Sequence, residues 1–144
     1  MGETESIVIS TDKNMLNIDF IHGFLTTCYW SEGISRNIVE KSIEGSICFG
    51  AYIKEKQIGF ARVITDQATF AYLADVFVEE KSRGLGYSKV LMDYIMAYPT
   101  LQKLRRFMLA TRDAHGLYIE FGFSELKNTT RWMEIHNANV YLSK

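Results

Sequence analysis

The feature that most constrains the fold of this chain is a strand-like run from Thr69 to Val78, which is apolar from Phe70 onward except for Asp75. A strand with one solvated face alternates apolar and polar residues, whereas a strand buried on both faces is almost continuously apolar. We therefore predict that this run is the central strand of a sheet and that helices cover both of its faces.

Neighbouring strands are predicted on both sides of the central strand. Two similar runs precede it, at Ser46–Ile53 and Gln57–Thr65, and the polar connectors between the three runs are three residues long. Connections this short join antiparallel neighbours. Another strand is predicted at Arg105–Thr111, after a helix, and a strand that returns after a helix is expected to lie parallel to its predecessor.

Apolar residues at helical spacing predict four helices around these strands. The first spans Asn17–Tyr29, and the second follows an N-cap at Ser35 and ends just before Gly45. The remaining elements are a helix over Leu85–Ala97 that Pro99 ends, a short helix over Asp113–Phe121 and a last strand over Arg131–His136. Two helices thus precede any strand, and the fold class is α+β.

The composition limits the classes of function that are open to the chain. Its 144 residues suffice for one domain, 1–144, and 16 Lys and Arg against 17 Asp and Glu leave a formal charge of −1. Without a basic field or a long apolar run, neither nucleic acid nor a membrane is expected as a partner. Cys28 and Cys48 lack metal-ligand spacing, and no export signal is recognised, so we expect free thiols, no metal and a cytoplasmic location.

A turn that contains two glycines follows the central strand and leads into the next helix, Arg83-Gly84-Leu85-Gly86-Tyr87-Ser88. Glycine lets the backbone approach a ligand closely, and the unpaired N–H groups at a helix start favour a phosphate. The turn is not a P-loop, because no Gly-Lys-Ser/Thr follows, and it lacks the third glycine of a dinucleotide-binding fingerprint. We interpret it as an anion-binding turn, and a plain glycine-rich turn is the alternative.

A second motif follows the strand at Arg105–Thr111 and consists of Ala114, Tyr118, Gly122 and Phe123. Alone, it would indicate a helix that ends in a glycine cap. Together, the two motifs resemble those of the GNAT superfamily of N-acetyltransferases. The turn is similar to that family's acetyl-CoA loop, Gln/Arg-x-x-Gly-x-Gly/Ala, and the second motif to its Asn-x-x-Ala-x-x-x-Tyr-x-x-x-Gly-Phe pattern, with Thr111 where Asn is usual.

The resemblance implies a GNAT-like α+β fold, in which a mixed, mostly antiparallel sheet holds acyl-CoA in a splay between two parallel central strands. Tyr118 would correspond to the tyrosine that protonates the CoA thiolate, and the Val78 amide could stabilise the oxyanion. The cofactor-binding residues that the resemblance implies are Val76, Phe77, Val78, Arg83, Gly84, Leu85, Gly86, Tyr87, Ser88, Thr111 and Tyr118.

The sequence indicates the residues of the acceptor side less clearly than those of the cofactor side. The place of the family's glutamate on the central strand falls at Tyr72, and strand alternation predicts that Asp75 faces away from Tyr72. Pairing of Asp75 with Arg62 and a role of Asp75 near the acceptor both stay open. His22 and Trp30 flank the first helix, which in this family helps to wall the acceptor site, and a structural role is the alternative for each.

The function that the resemblance implies is acetyl transfer from acetyl-CoA to a primary amine by direct transfer in a ternary complex. The amine could belong to a small molecule or to a protein. One alternative is a non-catalytic module that binds and senses acyl-CoA, and another is a binder of an ordinary nucleotide. Dimers are common in the family, so a homodimer is a further expectation.

Overall fold

The structure, a computed structural model, describes residues 6–142. Strands and α-helices follow one another along these residues and are joined by loops and short 3-10 turns. In chain order the elements are β1 (Val8–Ser10), α1 (Ile18–Leu25), α2 (Arg36–Glu44), β2 (Ile47–Ile53), β3 (Lys56–Thr65), β4 (Phe70–Val78), α3 (Tyr87–Met96), β5 (Arg106–Leu109) and α4 (His115–Ile119).

These strands form one sheet in the order β1-β2-β3-β4-β5. The first four pair antiparallel, whereas β4 and β5 are parallel. The α+β class, the mostly antiparallel sheet and the parallel relation of β4 and β5 are therefore confirmed. The prediction that two helices precede any strand is wrong, because β1 pairs with β2 before α1 begins. A strand of three residues is too short to carry a recognisable period.

Helices cover both faces of the sheet, as predicted, because alternate residues of each strand enter different cores. On one face, α3 contributes Leu91 and Ile95 to a core with Phe49 and Val63. On the opposite face, α1 and α2 cover a second core that contains Phe60 of β3. The two cores are called the α3-side core and the α1–α2-side core below.

The ends of α1 and α2 follow from their capping residues. Asn17 and Ser35 each accept a hydrogen bond from the backbone N–H three residues later, at 3.0 and 3.3 Å. The predicted cap at Ser35 and the predicted end just before Gly45 are confirmed, whereas α1 ends at Leu25 rather than Tyr29. No helix within residues 6–142 is long and apolar enough to cross a membrane.

A β-bulge interrupts the pairing of β3 with β4. Phe60 pairs with Phe77 and Arg62 pairs with Ala74, so one residue of β3 faces two residues of β4. Within this bulge Asp75 has a φ of +55°, a left-handed conformation that is uncommon outside glycine. A bulge of this kind reverses the alternation of the residues that follow it.

The bulge corrects the prediction that Asp75 faces away from Tyr72. Ala71 and Leu73 lie in the α3-side core, which leaves Tyr72 between them on the other face. Asp75 reaches that same face, where it pairs with Arg62. The prediction assumed an unbroken two-residue period, which the extra residue of β4 breaks.

The two parallel strands separate beyond their fourth residue pair. Their pairing ends at Leu73 and Leu109, where β5 also ends, whereas β4 continues to Val78. The last five residues of β4 therefore have an open edge on the side of β5. This open edge is the splay that the resemblance implies.

The last predicted strand, over Arg131–His136, is not formed. A 3-10 turn at Thr129–Arg131 is followed by residues 132–137 outside regular secondary structure. Residues 127–140 are all exposed. A strand forms only where another lies alongside to share its hydrogen bonds, and within the described chain none lies beside these residues.

Candidate active site

The glycine turn follows the unpaired end of β4. Gly84 and Gly86 have φ of +81° and +83°, and no atom lies within 4 Å of the place where a Cβ would stand. Glycine adopts this conformation without strain. Leu85, between them, is half exposed, so the backbone of the turn is accessible to a ligand.

The first turn of α3 presents unpaired backbone N–H groups at this same place. Gly86 is the N-cap, and no side chain caps the helix. The N–H of Val90 makes the intrahelical hydrogen bond to the Gly86 carbonyl at 3.3 Å, so the amides of Tyr87 and Ser88 precede the hydrogen-bonded part of the helix. Together with the positive end of the helix dipole, these amides favour a phosphate or pyrophosphate.

Side chains of the turn anchor it to the sheet. Arg83 Nε donates to the Val78 carbonyl at 2.9 Å, and the Tyr87 ring is buried against Ile58 and Val78. The Phe77 ring is buried in the α1–α2-side core. Both rings lie in the core, so only the backbone of Phe77 and Tyr87 remains for the predicted contact with a cofactor.

The backbone of Val78 faces the splay. The N–H of Glu79 donates to the Ile58 carbonyl on β3 at 2.7 Å, and successive residues of an antiparallel strand direct their backbone groups to opposite edges. The Val78 N–H therefore points away from β3 and toward the open edge. Val76 packs its side chain against the α3-side core, which leaves backbone rather than side chain for a ligand in the splay.

Tyr118 lies in α4, which follows β5 as α3 follows β4. Its ring packs against the α3-side core and contacts Phe123, with 6.1 Å between the ring centroids. Burial raises the pKa of the Tyr118 hydroxyl above its usual value, and the nearby Tyr29 adds to this rise. The hydroxyl is therefore protonated at neutral pH. Thr111 Oγ1 accepts from the Ala114 N–H at 3.0 Å at the entry to α4.

Asp75 joins the sheet to the segment after α1. Its Oδ2 accepts from Arg62 Nε, and its Oδ1 accepts from Trp30 Nε1, both at 2.8 Å. Arg62 also donates to Ser46 Oγ at 3.1 Å. The Arg62 and Asp75 side chains are only 16% and 11% exposed. The predicted pairing with Arg62 is confirmed, and two of the predicted acceptor-side residues, Trp30 and Asp75, are in contact.

Aromatic rings from α1 and β4 pack beside this pair. Phe24 stacks on Phe77, with parallel rings 3.9 Å apart, and Trp30 lies 6.4 Å from Phe24. Trp30 also meets Tyr29 edge to face at 5.2 Å. The surroundings of Asp75 are therefore mainly aromatic, with one carboxylate held among the rings.

Tyr29 is a candidate that sequence reasoning missed. Arg112, just after β5, lies over its ring at 3.8 Å from the centroid, and Tyr29 contributes to the raised pKa of Tyr118. Tyr29 thus contacts both Trp30 and Arg112. The sequence feature that could have indicated Tyr29 is its position next to Trp30, outside the buried stripe of α1.

His22 and Tyr72, the other predicted acceptor-side residues, occupy different surroundings. His22 Nε2 lies 3.0 Å from the Ile34 carbonyl and ties α1 to the loop before α2. Tyr72 lies between Ile64 and Met108 in the sheet. Among residues 6–142, no three or more His, Cys, Asp or Glu side chains are grouped so that they could hold a metal ion.

Comparison with known proteins decides the family. The model of the GNAT acetyltransferase domain matches residues 44–125, which is more than half of the chain. The chain belongs to the GNAT family of acetyltransferases. The matched region contains the glycine turn, the splay and Tyr118 of this GNAT protein.

Relatives of this GNAT protein agree with that assignment. A GNAT-family protein of Xanthomonas campestris pv. campestris, described as a candidate acetyltransferase, is 46% identical, with a TM-score of 0.95 and coverage of 98% of this chain and 100% of the other. A candidate acetyltransferase of Gibberella zeae is 29% identical over 77% of this chain and 75% of its own length. A predicted acetyltransferase of Clostridium acetobutylicum, solved with acetyl-CoA, shares the fold at 14% identity, with a TM-score of 0.66 and coverage of 91% and 96%.

Proposed function

We propose that this GNAT protein transfers the acetyl group of acetyl-CoA directly to a primary amine, with Tyr118 as the proton donor to the CoA sulfur. The observation that carries the proposal is the open edge of β4, which ends in a turn of accessible amides. The second motif supplies a tyrosine that stays protonated at neutral pH.

The donor side suits acetyl-CoA by its shape and its hydrogen-bonding groups. The amides from Gly84 to Ser88 would hold the pyrophosphate, and the unpaired edge of β4 would pair with the amides of the pantetheine arm as a strand does. The Val78 N–H would donate to the thioester oxygen as negative charge develops there. These contacts use the backbone, in agreement with the burial of Phe77 and Tyr87.

Tyr118 would supply the proton that the departing sulfur needs. The amine nitrogen bonds to the acetyl carbon, the carbon–sulfur bond breaks with its electron pair on sulfur, and the Tyr118 hydroxyl protonates that sulfur. Burial raises the pKa of Tyr118, so the hydroxyl carries its proton at neutral pH and can donate it as negative charge develops on the sulfur.

The acceptor amine must be neutral when it attacks. At pH 7 the deprotonation costs ~4.6 kcal/mol for a lysine-like amine and ~1 kcal/mol for an α-amine. Both oxygens of Asp75 already accept hydrogen bonds from Arg62 and Trp30. We therefore assign Asp75 the role of positioning Trp30 at the acceptor wall, and the proton of the amine leaves through water.

Direct transfer is favoured over an acetyl-cysteine intermediate. Burial raises the pKa of Cys48 to about 11 and also raises the pKa of the half-buried Cys28. The thiolate rather than the thiol is the nucleophile. Both cysteines are therefore poor acceptors of an acetyl group at neutral pH.

The test is release of CoA thiol, followed with a chromogenic disulfide over a panel of small amines and of peptides with free N-termini. With the best acceptor, we expect Tyr118→Phe to lower kcat about 100-fold or more, because it removes a general acid. Binding of acetyl-CoA, measured by calorimetry, should change little. Tyr94→Phe is the matched control, because Tyr94 lies on α3 against Phe49.

Two results would contradict the proposal. Unchanged turnover in Tyr118→Phe would remove Tyr118 from the chemistry. Tight binding of acetyl-CoA without transfer to any amine of the panel would instead support a non-catalytic module that senses acyl-CoA.

A further inference from the structure

The segment after α1 spans the fork at which β4 and β5 separate. The two strands pair over four residues and then diverge. Just beyond this fork, Asp75 of β4 accepts a hydrogen bond from Trp30 Nε1 at 2.8 Å. On the other side of the fork, Arg112 follows β5 and lies over the ring of Tyr29, at 3.8 Å from the centroid. Two consecutive residues, Tyr29 and Trp30, therefore contact both sides of the splay.

The charges on the two sides of the fork differ in how far they are satisfied. Asp75 is paired with Arg62 at 2.8 Å, and both side chains are largely buried. The Arg112 side chain is 65% exposed, and the carboxylate beside it, Oδ2 of Asp113, lies 4.0 Å from Nε. A separation of 4.0 Å is too long for a hydrogen bond. Among residues 6–142, the N–H groups of Arg112 thus have no hydrogen-bond acceptor.

The ring of Tyr29 orients the Arg112 guanidinium. A guanidinium that is stacked on a ring directs its N–H groups outward in its own plane, so it can stack and donate hydrogen bonds at the same time. A planar fork of N–H donors matches the two oxygens of a carboxylate. Tyr29 and Trp30 are 51% and 42% exposed, so an apolar surface adjoins this cation.

The position of Arg112 suits the acceptor rather than the phosphates of the cofactor. The turn proposed for the pyrophosphate follows the far end of the open edge of β4. Arg112 lies at the fork end, between β5 and α4, and α4 carries Tyr118. The five unpaired residues of β4 between the fork and the turn span roughly 17 Å, at about 3.3 Å per residue. An anion held by Arg112 would therefore belong to the acceptor.

We propose that the acceptor is a small amine that also carries a carboxylate, and that the guanidinium of Arg112, oriented by Tyr29, binds this carboxylate. The carbon chain between the two groups of the acceptor would lie on the exposed rings of Tyr29 and Trp30. This inference rests on the proposed function and deepens it, because it names the class of acceptor. Amines without an anion would be poor acceptors even where their nitrogen is equally nucleophilic.

Matched acceptors test this selectivity. Apolar α-amino acids and ω-amino acids of increasing length are each compared with their own primary amide, with release of CoA thiol as the readout. For the best acid, we expect a kcat/KM about 10-fold or more above that of its amide. Arg112→Met should lower kcat/KM for the acid about 30-fold, mainly through KM, and should change the amide by less than about threefold. Comparison of one acceptor between wild type and variant cancels the difference in amine pKa between acid and amide.

Further variants separate binding of the carboxylate from a structural role. Lys41→Met removes the same charge from an exposed site on α2 and should leave the acid-to-amide ratio of kcat/KM unchanged. Tyr29→Leu should lower that ratio, because it removes the ring that orients Arg112, whereas Tyr29→Phe keeps the ring and should preserve it. Arg112→Lys keeps the charge without the planar fork, so it should retain only part of the ratio.

Calorimetry with saturating CoA makes the test independent of turnover. The acids should bind wild type more tightly than Arg112→Met, and acetyl-CoA should bind both proteins equally. A ratio that survives Arg112→Met, an amide that equals its acid in the wild type, or weaker binding of acetyl-CoA by the variant would each overturn the proposal. If no acceptor is acetylated, the proposed function fails, and the calorimetric difference between wild type and Arg112→Met then decides whether Arg112 binds a carboxylate.

Discussion

Asp75 shows how one residue sets the geometry of the proposed acceptor side. Its left-handed backbone turns the carboxylate to the face that Arg62 and Trp30 share. Each carboxylate oxygen accepts one hydrogen bond, so the side chain is held at two points. The nearly buried carboxylate is satisfied only while its cation is present, because an unpaired charge in the interior is strongly unfavourable.

Replacement of Arg62 with Met should therefore destabilise the protein by about 3 kcal/mol, because it leaves the carboxylate of Asp75 without its cation. Urea unfolding measures this change. Arg36→Met breaks pairs with Asp19 and Glu40 at the surface and should have a much smaller effect. Adding Asp75→Asn to Arg62→Met should recover stability, because Asn carries no charge and tolerates the left-handed backbone, and a larger loss in the double variant would contradict this account of the pair.

At the scale of elements, the glycine turn and the start of α3 form the proposed binding site for the pyrophosphate of acetyl-CoA. Both Gly86 and Gly23 have free space where a Cβ would stand. They differ in backbone conformation, because Gly86 has a φ of +83° whereas Gly23 lies within α1. Substitution with Ala at the two sites should therefore change the stability of the protein in opposite directions. Only the first site should affect the cofactor, because Gly86 belongs to the turn.

Gly86→Ala should cost about 1 kcal/mol of stability, because alanine is strained in the left-handed region. It should also weaken binding of acetyl-CoA, because the turn must shift. Gly23→Ala should stabilise the protein by up to ~1 kcal/mol, because glycine is unfavourable inside a helix. Thermal unfolding and calorimetry measure both variants, and equal effects on binding would show that the turn does not hold the cofactor.

The elements that could be predicted are those whose signal is local. The cap at Ser35 and the double-sided apolar run of β4 are contained in a few neighbouring residues. The bulge at Asp75 could not be predicted, because it depends on how β3 and β4 pair. The same limit explains why Tyr29 was missed, since its neighbour Arg112 comes from a distant part of the chain.

At the scale of the whole molecule, the sheet ends at β5, and no other strand within residues 6–142 covers its outer edge. The pattern of Arg131–His136 predicts a strand, and the described chain offers that segment no partner.

The central claim is that the turn after β4 and the open edge of β4 bind coenzyme A. The most direct measurement is thermal unfolding with acetyl-CoA, free CoA, ATP or NAD as the added ligand. Acetyl-CoA and CoA should each raise the unfolding temperature by several degrees, because a ligand at 100 times its Kd stabilises the folded state by ~2.7 kcal/mol. A rise with ATP or NAD and none with either CoA compound would contradict the account.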